Sequence, residues 1–114
     1  MGDCIFCKII NREIPSDIVY EDDLVIAFRD IQPVAPVHVL VVPKDHIPSC
    51  NEVEPQQEQV IGHVFTVCKK IADQLGVAAD GYRIINNCGE DAGQTVKHIH
   101  FHLIAGVKMG EKLL

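Results

Sequence analysis

The seven residues His98-Ile99-His100-Phe101-His102-Leu103-Ile104 hold three of the six histidines of a 114-residue chain, on alternate positions. An imidazole can ligate a metal, titrate near neutrality, or act as a nucleophile. The alternation has a structural meaning. Successive side chains of a β-strand point to opposite faces, so His98, His100 and His102 share one face at spacings of about 6.5–7 Å. Ile99, Phe101 and Leu103 share the other and are expected to pack under a helix. The plain alternative is three unrelated surface histidines, which leaves the strict alternation to coincidence.

Metal chemistry is the first rival. Two histidines at i and i+2 can grip a zinc ion, and three can supply a catalytic site. A hydrolytic zinc site ordinarily recruits a carboxylate as base or outer partner, and no acid lies within 98–104. What precedes the histidines is a glycine-bearing stretch, Gly89 to Lys97. Its Gly93-Gln94-Thr95 offers bare backbone, an amide and a hydroxyl, a turn able to aim N–H groups at a phosphate. Such turns precede many strands, but together with the histidines this one favours phosphorus chemistry over metal hydrolysis. There, one imidazole attacks through one nitrogen while an acceptor holds the proton of the other and fixes the tautomer. Its neighbours donate to phosphate oxygens or hold a proton for the leaving group. The middle position, His100, is the geometric choice for nucleophile.

A second constellation is Cys4-Ile5-Phe6-Cys7. A CxxC pair is a redox couple, half a zinc site, or coincidence. A thioredoxin-type motif follows a strand and opens a longer helix, whereas this one stands at the N-terminal end. A zinc site needs two further ligands; His46 and His98 are available. Five cysteines cannot all pair within one chain. In a reducing cytosol Cys50, Cys68 and Cys88 read as free thiols that mostly pack.

The elements that must carry these residues follow from periodicity and breakers. Residues 3–12 have helical spacing, with Asp3 as a candidate cap and Pro15 as the stop. Ile18–Tyr20 and Leu24–Phe28 flank the acidic turn Glu21-Asp22-Asp23 and predict a hairpin. Asp30–Pro36 is a loop, and His38–Val42 a β-branched strand closed by Pro43. Residues 55–75 predict the one long helix, with Pro55 in its first position, Val60, Val64, Val67, Ile71 and Leu75 as its apolar stripe, and Gly76 as its stop. On it, His63 reads as a surface residue. Residues 82–87 predict a strand, 88–95 a loop, and 96–104 the last strand. The prediction is an α+β domain over 1–114: an antiparallel sheet covered by one long helix, with a short N-terminal helix.

Bulk properties bound the function. At 47% apolar and 23% charged residues the composition is globular rather than disordered. A net charge of −6 argues against nucleic-acid binding, which needs a basic face. No apolar run approaches the about 20 residues of a membrane span. The start, MGDCIFCKII, has no signal-peptide pattern, and Phe6 stands where a myristoylation signal needs Ser or Thr, so a cytoplasmic protein is expected.

The pattern His-φ-His-φ-His-φ-φ, with φ apolar, is the signature of the histidine triad (HIT) nucleotide hydrolases and transferases, and residues 98–104 match it throughout. GQTVKHIHFH, FRDIQPVAPVH (Phe28 to His38) and VVPKDHI (Val41 to Ile47) extend the resemblance over nearly the whole chain, from IFCKII to the triad. By length the chain is similar to the small Hint-like purine nucleoside phosphoramidases. The dinucleoside-polyphosphate hydrolase branch shares GQTVKH.

The resemblance implies a homodimer with one nucleotide site per subunit and no organic cofactor. It implies that His100 attacks the α-phosphate of a purine nucleoside 5′-phosphoramidate or acyl-nucleotide, and that water then releases the monophosphate. His102 holds that phosphate. Gln94 and Thr95 lie by the leaving group, Gly93 allows close approach, Asn87 matches the family's asparagine upstream of that turn, Asp30 accepts the ribose hydroxyls, and Phe6, Phe28 and Ile31 wall the purine. His38 buttresses the triad. In many bacterial proteins of this family two such cysteines and two such histidines bind a structural zinc, which implies Cys4, Cys7, His46 and His98 as ligands and takes His98 out of acid catalysis. Two other functions remain beside this one: a nucleotide-binding regulatory module with residual hydrolysis, and a zinc hydrolase centred on the triad. Residues 105–114 form a shorter tail than Hint-like proteins often carry, so the resemblance does not extend to substrate preference.

Overall fold

Residues 3–114 are described in a computed structural model; the Met1-Gly2 start of the N-terminal run lies outside them. Five strands pair antiparallel throughout, in the order β1-β2-β3-β5-β4: β1 (Ile18–Glu21), β2 (Val25–Arg29), β3 (Val37–Pro43), β4 (Tyr82–Ile85) and β5 (Phe101–Ala105). The β1–β2 turn is built on Asp22, whose Oδ1 accepts the N–H groups of Leu24 and Val25 at 2.8 and 3.0 Å. That is the local side-chain bonding that makes aspartate a turn residue.

The long helix splits at its start. Pro55–Gln57 form a 3₁₀ turn with a reciprocal Glu54–Gln57 capping box, and α2 runs from Glu58 to Gln74. Its stripe of Val60, Val64, Val67, Cys68 and Ile71 packs on Val25, Ala27, Val39, Val41, Ile99, Phe101 and Leu103 of the sheet. This is the main core, and it absorbs the non-histidine face of the HIHFHLI run as expected. The opposite face is covered too. α1 (Ile5–Ile10) lays Phe6 and Ile9 on Ile26, Phe28, Leu40 and Val42. Cys4, not Asp3, caps α1, its Sγ accepting from the Cys7 N–H at 3.4 Å. The helix ends at Asn11, before Pro15, as Arg12 turns to φ 64° and the Glu13 N–H closes on the Lys8 carbonyl at 2.8 Å.

Two expected boundaries shift. The last strand was expected from Val96, but pairing begins at Phe101. Since Val41 pairs with Phe101, residue 99 falls opposite Pro43, and a proline cannot donate to the ladder. The segment instead runs alongside, with the Ile99 N–H on the Ile47 carbonyl at 2.6 Å. So His98 and His100 stand on an irregular segment, bent over residues 96–98, that leads into β5, and only His102 lies in the strand. β4 likewise ends at Ile85, before Asn86 and Asn87. Among the described residues no helix is long and apolar enough to cross a membrane.

Candidate functional site

His100 is 8% exposed. Its Nδ1 lies 2.8 Å from the His98 carbonyl oxygen. A carbonyl can only accept, so Nδ1 carries the proton and Nε2 keeps a free lone pair. The Asn86 side-chain amide donates to the His100 carbonyl at 2.9 Å and fixes the backbone there.

His102 owes its tautomer to residues on β3 and the loop before it. The Val34 N–H donates to His38 Nδ1 at 3.1 Å, so the proton of His38 sits on Nε2. That Nε2–H faces His102 Nδ1 at 2.9 Å and Asp30 Oδ2 at 3.4 Å. His102 Nδ1 is therefore an acceptor, and its Nε2 bears the proton. Register brings the pair together: Leu40 pairs with His102, and His38 lies two residues along on the same face. Burial, then His100 and His38, push His102 down to about 4 against the pull of Asp30. It is neutral at physiological pH, a donor rather than an acid.

Asp30, His38 and His102 offer ligand atoms within 4.8 Å of one another, a conceivable metal set. The Val34 N–H argues against it. Ligation through His38 Nε2 would put the ring proton on Nδ1, against that donor. The trio is therefore arranged to hold a proton rather than an ion.

A cavity of about 370 Å³ opens beside these rings, within the usual range for a small ligand. Phe6, Ile9, Phe28 and Leu40 make its apolar wall; Asp30, Thr95, His100 and His102 bring polar groups to it. Phe28, Leu40 and His102 form one row across β2, β3 and β5. Ile31 reaches the rim but is 91% exposed. Asp30 is fixed at the mouth by the Gln32 N–H on its Oδ1 at 2.8 Å.

The remaining predicted contacts lie outside the cavity lining. Gln94 is buried and spends its amide on the loop: Oε1 accepts from Gly89 N, and Nε2 donates to the Pro48 and Val96 carbonyls. Gly93 adopts φ 82° where the Glu90–Ala92 turn ends, a conformation suited to glycine. Asn87 is half-buried. Its neighbour Asn86, which carries no such signal in the sequence, makes the contact to the backbone of His100. His63, expected at the surface, is half-buried and donates from Nε2 to Asp22 Oδ2 at 2.6 Å.

The CxxC pair meets both histidines. Cys4 Sγ is 3.3 Å from His98 Nδ1, and Cys7 Sγ is 3.3 Å from His46 Nδ1 and 3.6 Å from His98 Nδ1. Two thiolates and two imidazoles around one tetrahedral zinc would stand about 3.6 Å apart, S to N. The tautomer also fits. His98 Nε2–H donates to the Pro43 carbonyl at 2.8 Å, leaving Nδ1 as a lone pair toward the sulfurs. His98 is fully buried, and burial lowers its affinity for a proton. Burial and the adjoining Cys4 raise the Cys7 thiol to about 11, a cost that a divalent cation would offset. The four residues suit a metal ion held by Cys4, Cys7, His46 and His98.

Residues 11–109 match the model of the HIT domain. The purine nucleoside phosphoramidase of Escherichia coli K12 is 56% identical over 109 residues, 96% of this chain and 92% of that protein. A HIT family hydrolase from Clostridium thermocellum superposes with a TM-score of 0.98 at 52% identity, covering 100% and 99% of the two chains. A histidine triad protein from Clostridium difficile does so at 0.95 and 51%, covering 98% and 97%. With a matching family model, a relative above half identity and an intact His98–His102 signature, this chain belongs to the HIT domain family.

Proposed function

We propose that this protein is a nucleotide hydrolase that cleaves purine nucleoside 5′-phosphoramidates or acyl-nucleotides at the α-phosphate. The observation that carries this is the protonation pattern of the two rings. His100 keeps a free lone pair on Nε2, and His102 stands beside it as a neutral Nε2–H donor. The 56% identity to a phosphoramidase supports the substrate class.

The purine lies between Phe6, Phe28 and Ile31, with the ribose hydroxyls on Asp30. His100 Nε2 attacks the α-phosphorus, the bond to the leaving amine breaks, and the amine leaves with a proton drawn from solvent. His102 Nε2–H stabilises the charge that grows on the phosphate oxygens. The positive charge on the nucleotidylated ring is eased by the His98 carbonyl through Nδ1–H. Water then attacks phosphorus and gives up a proton to solvent, the P–N bond breaks with its electron pair returning to His100 Nε2, and the monophosphate departs. His38 buttresses His102. Thr95 contacts the leaving group, with Gly93, Gln94 and Asn87 shaping the loop around it. The chain acts as a single domain over 1–114, as a cytoplasmic homodimer, with one structural zinc per chain on Cys4, Cys7, His46 and His98. When bound, the ion crosslinks these segments and supplies no water-activating chemistry.

The test is intact-protein mass spectrometry after brief mixing with adenosine 5′-phosphoramidate. A transient nucleotidyl adduct, absent in His100→Ala, is expected. Turnover by His100→Ala at the wild-type rate would refute the mechanism. Tight monophosphate binding with no adduct would instead identify a binding module.

A further inference from the structure

The metal cluster and the nucleophile are two residues apart and meet at His98. His98 gives its ring to the cluster, and its carbonyl oxygen holds His100 Nδ1–H at 2.8 Å. Phe6 lies between the two cysteines. Its ring packs edge-on against His100 at 4.9 Å and His98 at 5.8 Å between centroids, and tilts against Phe28 at 5.7 Å. The same ring walls the cavity. Two short paths thus lead from the thiols to His100: the Cys4–Cys7 turn with its buried Phe6 ring on one side, and buried His98 on the other. The fourth ring, His46, stacks edge-on against His98 at 4.8 Å and completes the frame.

We propose that Cys4, Cys7, His46 and Phe6 are positioning residues for the nucleophile, so that occupancy of the metal cluster sets the rate of nucleotidylation. This rests on the assignment of His100 above. An ion held by the four ligands fixes the His98 backbone, and with it the acceptor that selects the reactive tautomer of His100. It also fixes the Cys4–Cys7 turn, and with it the Phe6 edge that limits the His100 ring. Without the ion, six-residue α1 is too short to hold this turn by itself. The effect falls on the chemical step more than on binding, because Asp30 is held by the Gln32 N–H, and Phe28 and Leu40 by the β2–β3 ladder, without help from the four ligands.

The test compares protein loaded with one zinc equivalent, the same protein stripped by a chelator, and loaded Phe6→Leu. Three quantities are read: the Nδ1–H signal of His100 in long-range ¹H–¹⁵N spectra, the affinity for adenosine monophosphate, and the single-turnover rate of adduct formation. In stripped protein the expected result is a lost or broadened His100 signal and at least tenfold slower nucleotidylation, with affinity changed less than threefold. Phe6→Leu, at full metal load, is expected to slow the same step at least threefold. A stripped, folded protein that keeps signal and rate within twofold overturns the proposal. If stripping unfolds the chain, Phe6→Leu decides: unchanged signal and rate at full load overturn it equally. A loaded wild-type protein that forms no adduct would overturn the nucleophile assignment itself, a separately recognisable failure.

Discussion

At the scale of single residues, what the site specifies is where protons sit. A donor three positions before β3, the Val34 N–H, decides the tautomer of His38, and His38 decides that of His102. His38→Ala is therefore expected to slow adduct formation about 10–100-fold while leaving monophosphate affinity within a few-fold. It also removes one of the groups that hold His102 near 4. An NMR titration of the His102 ring should then move upward, toward the ordinary value of about 6.5; an unmoved titration would show that burial alone sets it. The alternation of three histidines made this set visible in the sequence. The partners were visible only in part. His38 and Asp30 came from the family resemblance, whereas Asn86 gave no signal, because its acceptor is a carbonyl fourteen residues away. Gln94 looked like a ligand residue from its place in the glycine turn, but side-chain direction in a loop is not periodic, and its amide closes the loop.

At the scale of elements, periodicity gave the layers and missed the clasps between them. The 3.6-residue stripe on α2, the apolar runs of β2 and β3 and the alternation along β5 are enough to predict one buried interface. The late start of β5 was also written in the sequence, at Pro43, but only register shows that Pro43 faces the His98–His100 segment. The docking of α2 on the β1–β2 turn was not legible. There, Asp22 Oδ2 accepts from Tyr20 at 2.7 Å and from His63, forty-one residues on, at 2.6 Å. Burial would raise the Asp22 carboxyl, but the bonds from His63, Tyr20, Val25 and Leu24 outweigh it and hold it well below the usual carboxylate range. The sign of the linkage follows. The unfolded chain takes up a proton on Asp22 near pH 4 while the folded one does not, so the stabilisation is complete above about pH 4 and is lost as pH falls below it. Asp22→Asn is expected to lose about 1–3 kcal/mol at pH 7 by chemical denaturation. Its deficit against the wild type should shrink between pH 4 and pH 2. A deficit independent of pH would mean that turn geometry, not charge, holds the clasp.

At the scale of the whole molecule, the two faces of the sheet are secured by different means. The α2 face closes with a broad apolar core that includes fully buried Val64, Val67 and Ile71. The face that carries the site is closed by α1, six residues long, with Phe6 and Ile9 as its buried contribution. Helices of that length are not stable without tertiary ties. The proposed metal cluster is that tie: its side chains join Cys4 to His98 across 94 positions and Cys7 to His46 across 39. The molecule should therefore loosen unequally when the ion is removed. Hydrogen exchange after chelation is expected to show lost protection in residues 4–11 and 96–100, with α2, β2 and β3 still protected, alongside a lower melting temperature restored by one zinc equivalent per chain. A uniform loss across the sheet would mean that the ion supports the global fold, so that no folded metal-free state exists to expose the local role. No change in either quantity would mean that the four residues hold no ion, and the nucleophile would then depend on the packing of Phe6 and the Pro43–His98 bond alone. The local outcome is the one that the unequal construction of the two faces dictates, because only the weaker face contains the ligands.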